Sequence, residues 1–167
     1  MNTYYKDSNN VVHCLTADDL LTDMGKQLAA NPGWQVITEA QADAIINPSL
    51  TLSQAQSAQA LIIQEACAAA ITGGISSSAL GVAHTYPSAQ TDQLNLTAVV
   101  VKSTLPGFTS AMFKTLDAGW LSHTATQIQQ VGSDVEAFIS TQLQHSANLQ
   151  ASIAAATTVP AVQSITW

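Results

Sequence analysis

Along residues 51–72, apolar positions recur every three to four residues: Leu52, Ala55, Ile62 and Ile63, Ala66 and Ala70, with Gln59 in step. That spacing predicts a helix with one apolar stripe, and its alanine content supports it. "TGG" at 72–74 stops the helix, with Gly73 suited to the position just past its end. A longer stripe runs through Ile128, Val131, Val135, Phe138/Ile139, Leu143, Leu149 and Ile153. It predicts one helix over 124–156, about 50 Å long at 1.5 Å per residue. Polar Gln142, His145 and Ser146 interrupt the seam, so no strict heptad is sustained. The closing "TTVPAVQSITW" predicts a short helix starting near Pro160, with Trp167 as a terminal anchor.

The first 48 residues carry a different pattern. Tyr4-Tyr5 and Val11–Leu15 flank "KDSNN", whose Asp and Asn residues favour turns, so 3–15 predicts a hairpin. Thr16 with Asp19 three residues on predicts the start of a helix that ends at Asn31-Pro32-Gly33. "GWQVIT" predicts a short strand, and Thr38 caps a second short helix that stops at Asn47-Pro48. Between the two long helices, "LNLTAVVV" (94–101) is β-branched and predicts a strand. "KSTLPGFTS" predicts a loop; "AMFKTLDAGWLSH" leaves strands and a turn open, with Gly119 at a tight bend. The expected organisation is α+β: a small head over 1–48, a linking helix over 49–75, and a mainly helical domain over 76–167. That last domain holds a short sheet and turn region and one long C-terminal helix.

Composition narrows the function classes. The chain has 167 residues, 11 acidic residues, four lysines and no arginine, for a net charge of −7. Phosphate backbones are held by Arg and Lys, so nucleic-acid binding is not expected. Charged residues are 9% of the chain, against about 25% in ordinary soluble domains. None occurs from Ala137 to Trp167, which leaves a surface with little charge repulsion between copies. Permanent assembly and a solvated, uncharged helix both fit that surface. No apolar run reaches membrane-spanning length, and "MNTYYKDSNN" lacks the basic-then-apolar layout of a secretory signal. Cys14 and Cys67 are isolated and read as free, inert thiols.

The densest candidate chemistry lies in "SSSALGVAHTYPSAQTDQLNL" (76–96). His84, Asp92 and His123 could be drawn as a facial metal triad, but no two histidines share ligand spacing. Ser76–Ser78 with His84 and Asp92 offers the residue types of a hydrolytic triad without an elbow or oxyanion hole. Asp134 and Glu136 are two apart on a helix and so do not share a face. No catalytic residue, cofactor or metal is expected, and the protein is read as not an enzyme. The stretch reads instead as a folding signature. Gly81 supplies a turn with positive φ, and Tyr86 a half-buried anchor. Ser88 and Asp92 cap local amides, while Gln93 and Asn95 alternate with Leu94 and Leu96 as along a strand.

The N-terminal "YYKDSNNVVHCL … GWQVITEAQADAIINPSLTLSQAQ" resembles the opening of tailed-phage tail fibre assembly proteins. The later "ALGVAHTYPSAQTDQLNL", "GWLSHTATQIQQVGSDVEAFI" and "AATTVPAVQSITW" resemble a domain of unknown function that recurs in phage tail fibre genes. Together these segments cover most of the chain; residues 102–117 match nothing in the resemblance. The resemblance implies a tail fibre assembly chaperone or a structural protein that packs against fibre or baseplate subunits. It implies synthesis in the host cytoplasm and a final place on the virion tail. The uncharged C-terminal helix favours a retained subunit over a transient chaperone. The expected docking or oligomeric surface, as a trimer, is the stripe of Ile128, Val131, Val135, Phe138 and Leu149 with Trp167. The alternative is an adhesin at the fibre tip, contacting a host surface receptor through loops 82–92 and 102–118.

Overall fold

The computed structural model describes residues 2–167, which divide into two compact units, one ending at Thr51 and the other running Leu52–Trp167. The architecture is α+β, as expected from the sequence.

In the first unit, β1 (Thr3–Lys6) is the centre of an antiparallel sheet, with β2 (Val12–Leu15) on one side and β3 (Gln35–Ile37) on the other. The hairpin turns because Asp7 Oδ1 accepts from the Asn9 and Val11 amides while Asn10 takes φ 65°. The expected continuous helix over 16–30 is broken in two: a 3-10 turn at Asp19–Leu21 and α1 (Asp23–Ala29). Thr22 causes the break. Its hydroxyl donates to the Asp19 carbonyl and accepts from the Gly25 amide, so a new cap forms where helix would have continued. A Cβ on Gly25 would lie 1.8 Å from the Asp19 carbonyl oxygen, so only glycine permits this joint. α2 (Glu39–Ile46) starts with a reciprocal capping box between Thr38 and Gln41. Tyr5, Leu15, Ile37 and Ala42 form the small core.

The second unit is organised by two antiparallel helices, α3 (Leu52–Thr72) and α5 (Ala125–Ala155). Their pairing can be followed along their length. Gln56 lies against the end of α5, Cys67 Sγ contacts the Gln142 carbonyl, and Ser77, just past α3, bonds to Asp134. Near the far end, Ala55, Ile63, Ile153 and Val162 form one core with Leu149 and with α6 (Val159–Gln163). No glycine ends α5. The Gln56 amide instead donates to the Ala154 and Ala156 carbonyls and adds to the Ala156 amide at the Ile153 carbonyl, serving the acceptors that a helix end exposes. Gln59 serves the Ile165 carbonyl in the same way, at 2.6 Å.

At the other end, hairpin β4 (Ile75–Ser77)–β5 (His84–Tyr86), helix α4 (Gln90–Ser103) and hairpin β6 (Ala111–Thr115)–β7 (Gly119–His123) enclose the larger core. It contains Ile75, Tyr86, Leu96, Phe113, Ile128, Val131 and Val135. Two sequence expectations fail here. Residues 94–101 form helix, not strand. Leu96, Val99 and Val100 then fall at helical spacing on the side that packs the core, and this burial overrides β-branched propensity. The left-handed residue after α3 is Gly74, at φ 105°, one position beyond Gly73. The segment 111–123 resolves into a hairpin whose turn uses Gly119 at φ 76°.

α4 crosses α5 closely because Gly132 faces Val100: a Cβ there would come within 2.9 Å of Val100 Cγ2. Gly132→Ala should therefore stay within about 1 kcal/mol of wild type, since the gain in helix propensity offsets a small shift of one methyl. Gly132→Leu should lose about 1–3 kcal/mol through overpacking. Urea unfolding followed by far-UV circular dichroism distinguishes the two; equal midpoints for both variants would contradict this contact.

Candidate functional site

The stretch 76–96 lies where the chain passes from α3 through the first hairpin into α4, and its polar residues are spent on that passage. Ser88, 2% exposed, donates its hydroxyl hydrogen to the Ile71 carbonyl at 2.7 Å and accepts from the Gly74 amide at 2.9 Å. Its own carbonyl accepts from Gln93 Nε2. The expectation of a purely local Ser88 cap is thus corrected: it ties the end of α3 to the start of α4. Asp92 does act locally, accepting the Ala89 amide through Oδ2. Ala89 offers no side-chain acceptor, so only this half of a capping box forms. Gly81 turns at φ 93° after its amide bonds to the Ser78 carbonyl. Asn95 stands exposed on α4, so it does not alternate along a strand.

The three residues of the conceivable metal triad go to three different partners. His84 Nδ1 pairs with Asp117 Oδ2 at 2.8 Å, Asp92 caps α4, and His123 lies in the core. Asp117 Oδ1 also accepts the Thr85 amide, and the Leu116 amide donates to the Thr85 carbonyl, so the tip of the second hairpin grips β5. The hydrogen bond from His84, then that from Thr85, holds the Asp117 carboxyl below its ordinary pKa. Ser77 donates to Asp134, not to a histidine, so no nucleophile–base pair exists among the serines considered. Among the described residues, no three His, Cys, Asp or Glu side chains converge as a metal-binding group.

Tyr86 is a fully buried anchor. Its hydroxyl lies 2.8 Å from His123 Nε2, and His123 Nδ1 lies 3.0 Å from the Leu121 carbonyl. A carbonyl can only accept, so Nδ1 carries the proton and Nε2 receives the Tyr86 hydroxyl hydrogen. Burial raises the Tyr86 pKa and lowers that of His123, keeping both neutral. Phe113 meets the imidazole edge-on at 6.5 Å and 89°.

The residues expected to dock a partner are used inside the chain. Ile128 and Val131 are 0% exposed, Val135 belongs to the same core, and Phe138 packs against it. Leu149 packs in the α3–α5–α6 core. Trp167 is the exception, 39% exposed with its ring edge-on to His145 at 4.8 Å. An apolar stripe specifies burial and does not say whose surface does the burying.

A feature missed in the sequence lies between α4 and the second hairpin. Pro87, Asp92, Asn95, Ala98, Val99, Met112, Phe113, Lys114 and Trp120 line a cavity of about 420 Å³. Lys114 and Trp120 are direct cross-strand partners and so share one face of the hairpin. Alternation through "AMFKT" and "GWLSH" carried the signal: Phe113 and His123 turn inward, which leaves Trp120 outward and 64% exposed.

Replacing Tyr86 with Phe leaves His123 Nε2 buried without a donor and should cost about 1–3 kcal/mol. His123 adds a pH dependence. Its folded pKa is lowered from the unfolded value of about 6.5, so near neutral pH and above neither state is protonated and the stabilisation is complete. As pH falls below about 6.5, the unfolded chain takes up a proton that the folded chain refuses, and stability drops. His123→Gln should be less stable than wild type at pH 8, with the gap narrowing toward pH 5 in thermal melts. A gap that stayed constant or widened would contradict a buried neutral imidazole.

No helix among the described residues is long and apolar enough to cross a membrane. No curated protein and no solved structure matches the chain. Residues 53–166, which span the α3–α5 pair, both hairpins, α4 and α6, match the family model described as domain of unknown function DUF4376, and the chain belongs to that family.

Proposed function

We propose that the protein is a phage tail component, a structural or fibre-assembly protein that packs against fibre or baseplate subunits and stays on the virion. The observation that carries this reading is the surface of the α3–α5 layer. From Ala137 to Trp167 there is no Asp, Glu, Lys or Arg, and Glu65 is the sole charged residue in α3. Leu61, Ile62 and Leu143 are nevertheless exposed on those helices. A permanent neighbour would cover such a surface, whereas a freely diffusing acidic protein gains from charge there. The N-terminal resemblance to tail fibre assembly proteins supplies the partner class. Under this reading the chain is a homo-oligomer, taken as a trimer, and acts without catalysis, cofactor or nucleic acid. It is made in the host cytoplasm and ends on the virion tail.

A second reading is favoured by one feature. Parts of the loops considered for receptor contact, 82–92 and 102–118, meet at the cavity beside Trp120. An adhesin at the fibre tip would present that cavity to a host surface receptor.

Quantitative mass spectrometry of purified particles tests the leading reading, together with light scattering on the purified chain and co-purification with the fibre protein. Stoichiometric recovery with the particle and a stable oligomer are expected. A monomer that neither co-purifies with fibre protein nor appears in particles would overturn it.

A further inference from the structure

We infer that the cavity between α4 and the β6–β7 hairpin is a binding site for a neutral saccharide. Its walls differ in character. On the hairpin side, Met112, Lys114 and the exposed indole of Trp120 share one face, because Lys114 pairs directly with Trp120 and Met112 stands two residues from Lys114. On the helix side, Asp92, Asn95 and Val99 fall at i, i+3 and i+7, which places them on one face of α4. Pro87, Ala98 and Phe113 complete the lining. The volume, about 420 Å³, lies in the range of small-ligand sites.

The polar inventory selects the ligand. Asp92 uses Oδ2 to accept the Ala89 amide and leaves Oδ1 as an acceptor. Among the described residues, no hydrogen bond or ion pair engages the Asn95 amide or the Lys114 ammonium. The cavity therefore offers a carboxylate acceptor, an amide that both donates and accepts, and an ammonium donor. Hydroxyl groups both donate and accept, so a polyhydroxylated ring matches this set. Its apolar C–H face matches the flat indole, which is amphipathic and rigid. Other classes match less well. One carboxylate and one ammonium leave the site without net charge, and the chain as a whole carries −7, so phosphorylated and acidic ligands are disfavoured. A purely apolar ligand would desolvate Asp92 and Lys114 without replacing their hydrogen bonds.

This assignment rests on the receptor-contact reading for its biological use, although saccharide binding is a property of the isolated chain and can be measured there. The test is an array of immobilised neutral, acidic and phosphorylated saccharides probed with the full chain, followed by calorimetric titration of any retained saccharide. Wild type should retain neutral saccharides, and Trp120→Ala and Asn95→Ala should each weaken binding by at least about tenfold. Both side chains are exposed, and alanine favours helix at 95, so circular dichroism of the variants should match wild type. Retention of no neutral saccharide, retention of phosphorylated ones alone, or equal binding by wild type and both variants would overturn the assignment. Adsorption of particles carrying Trp120→Ala is scored separately. A chain that binds saccharide while such particles adsorb normally leaves the site standing and removes the receptor role.

Discussion

The Ser88 hydroxyl sits at the joint on which the larger unit depends. It donates to the Ile71 carbonyl in the last turn of α3 and accepts from the Gly74 amide just beyond. The Ser88 carbonyl is held by Gln93 in the first turn of α4. Helix ends carry unpartnered carbonyls and amides, and burying one without a partner costs more than a typical hydrogen bond contributes. One small side chain serves both kinds here. Ser88 is itself 2% exposed, so the joint between α3 and α4 is made by a buried hydroxyl with both of its hydrogen bonds in place. Tyr86, two residues earlier, then enters the core toward His123, and Thr85 meets the tip of the second hairpin. Three adjacent turns of chain are aligned by side chains that read, in isolation, like catalytic equipment.

That resemblance to catalytic equipment explains what the sequence could and could not disclose. Helix starts were legible because a cap is a local device: Thr38 with Gln41 and Thr124 with Gln127 each form the reciprocal pair their spacing implies. The two long helices were legible because their stripes span many turns. The helix at 90–103 was not. Its run of valines has intrinsic strand preference, and only the core assembled from the two hairpins and α5, distant along the chain, gives Val99 and Val100 a surface to pack on. The partners of His84, Ser77 and Ser88 lie 33, 57 and 17 residues away. Spacing rules have no reach at such separations, so Asp117 and Asp134 carried no local sign of their roles. Trp120 was closer to legible, since strand alternation places it outward once Phe113 is assigned inward.

The fate of the long apolar stripe limits which surfaces of this chain are open to a partner. Ile128, Val131 and Val135 are buried in the core that α5 forms with the hairpins and α4, so these three side chains are not free to dock a partner. What remains outward on α3 and α5 is a surface of Ala, Gln, Ser and Thr with a few exposed aliphatic side chains. Association through that surface would use small residues and side-chain amides more than a greasy seam. Such contacts depend on shape and paired hydrogen bonds, because uncharged polar groups contribute little unless well partnered. A surface of this kind suits one geometry with one fixed neighbour and is poorly suited to transient, charge-steered encounters.

The unit also separates its two kinds of surface. After α3, the Asp, Glu and Lys residues of the unit lie on α4, on the second hairpin and in the first part of α5: Asp92, Lys102, Lys114, Asp117, Asp134 and Glu136 precede Ala137, and none follows. The helical end is therefore the part with little charge to desolvate on association, and the hairpin end the part that keeps water and ions near it. An assembly built on the first would leave the second in solvent, with Trp120 and Lys114 on its rim. The amino-acid distribution along α5 thus does more than fill a core. It sets which end of the domain carries little charge to desolvate and which end carries charge beside an exposed indole.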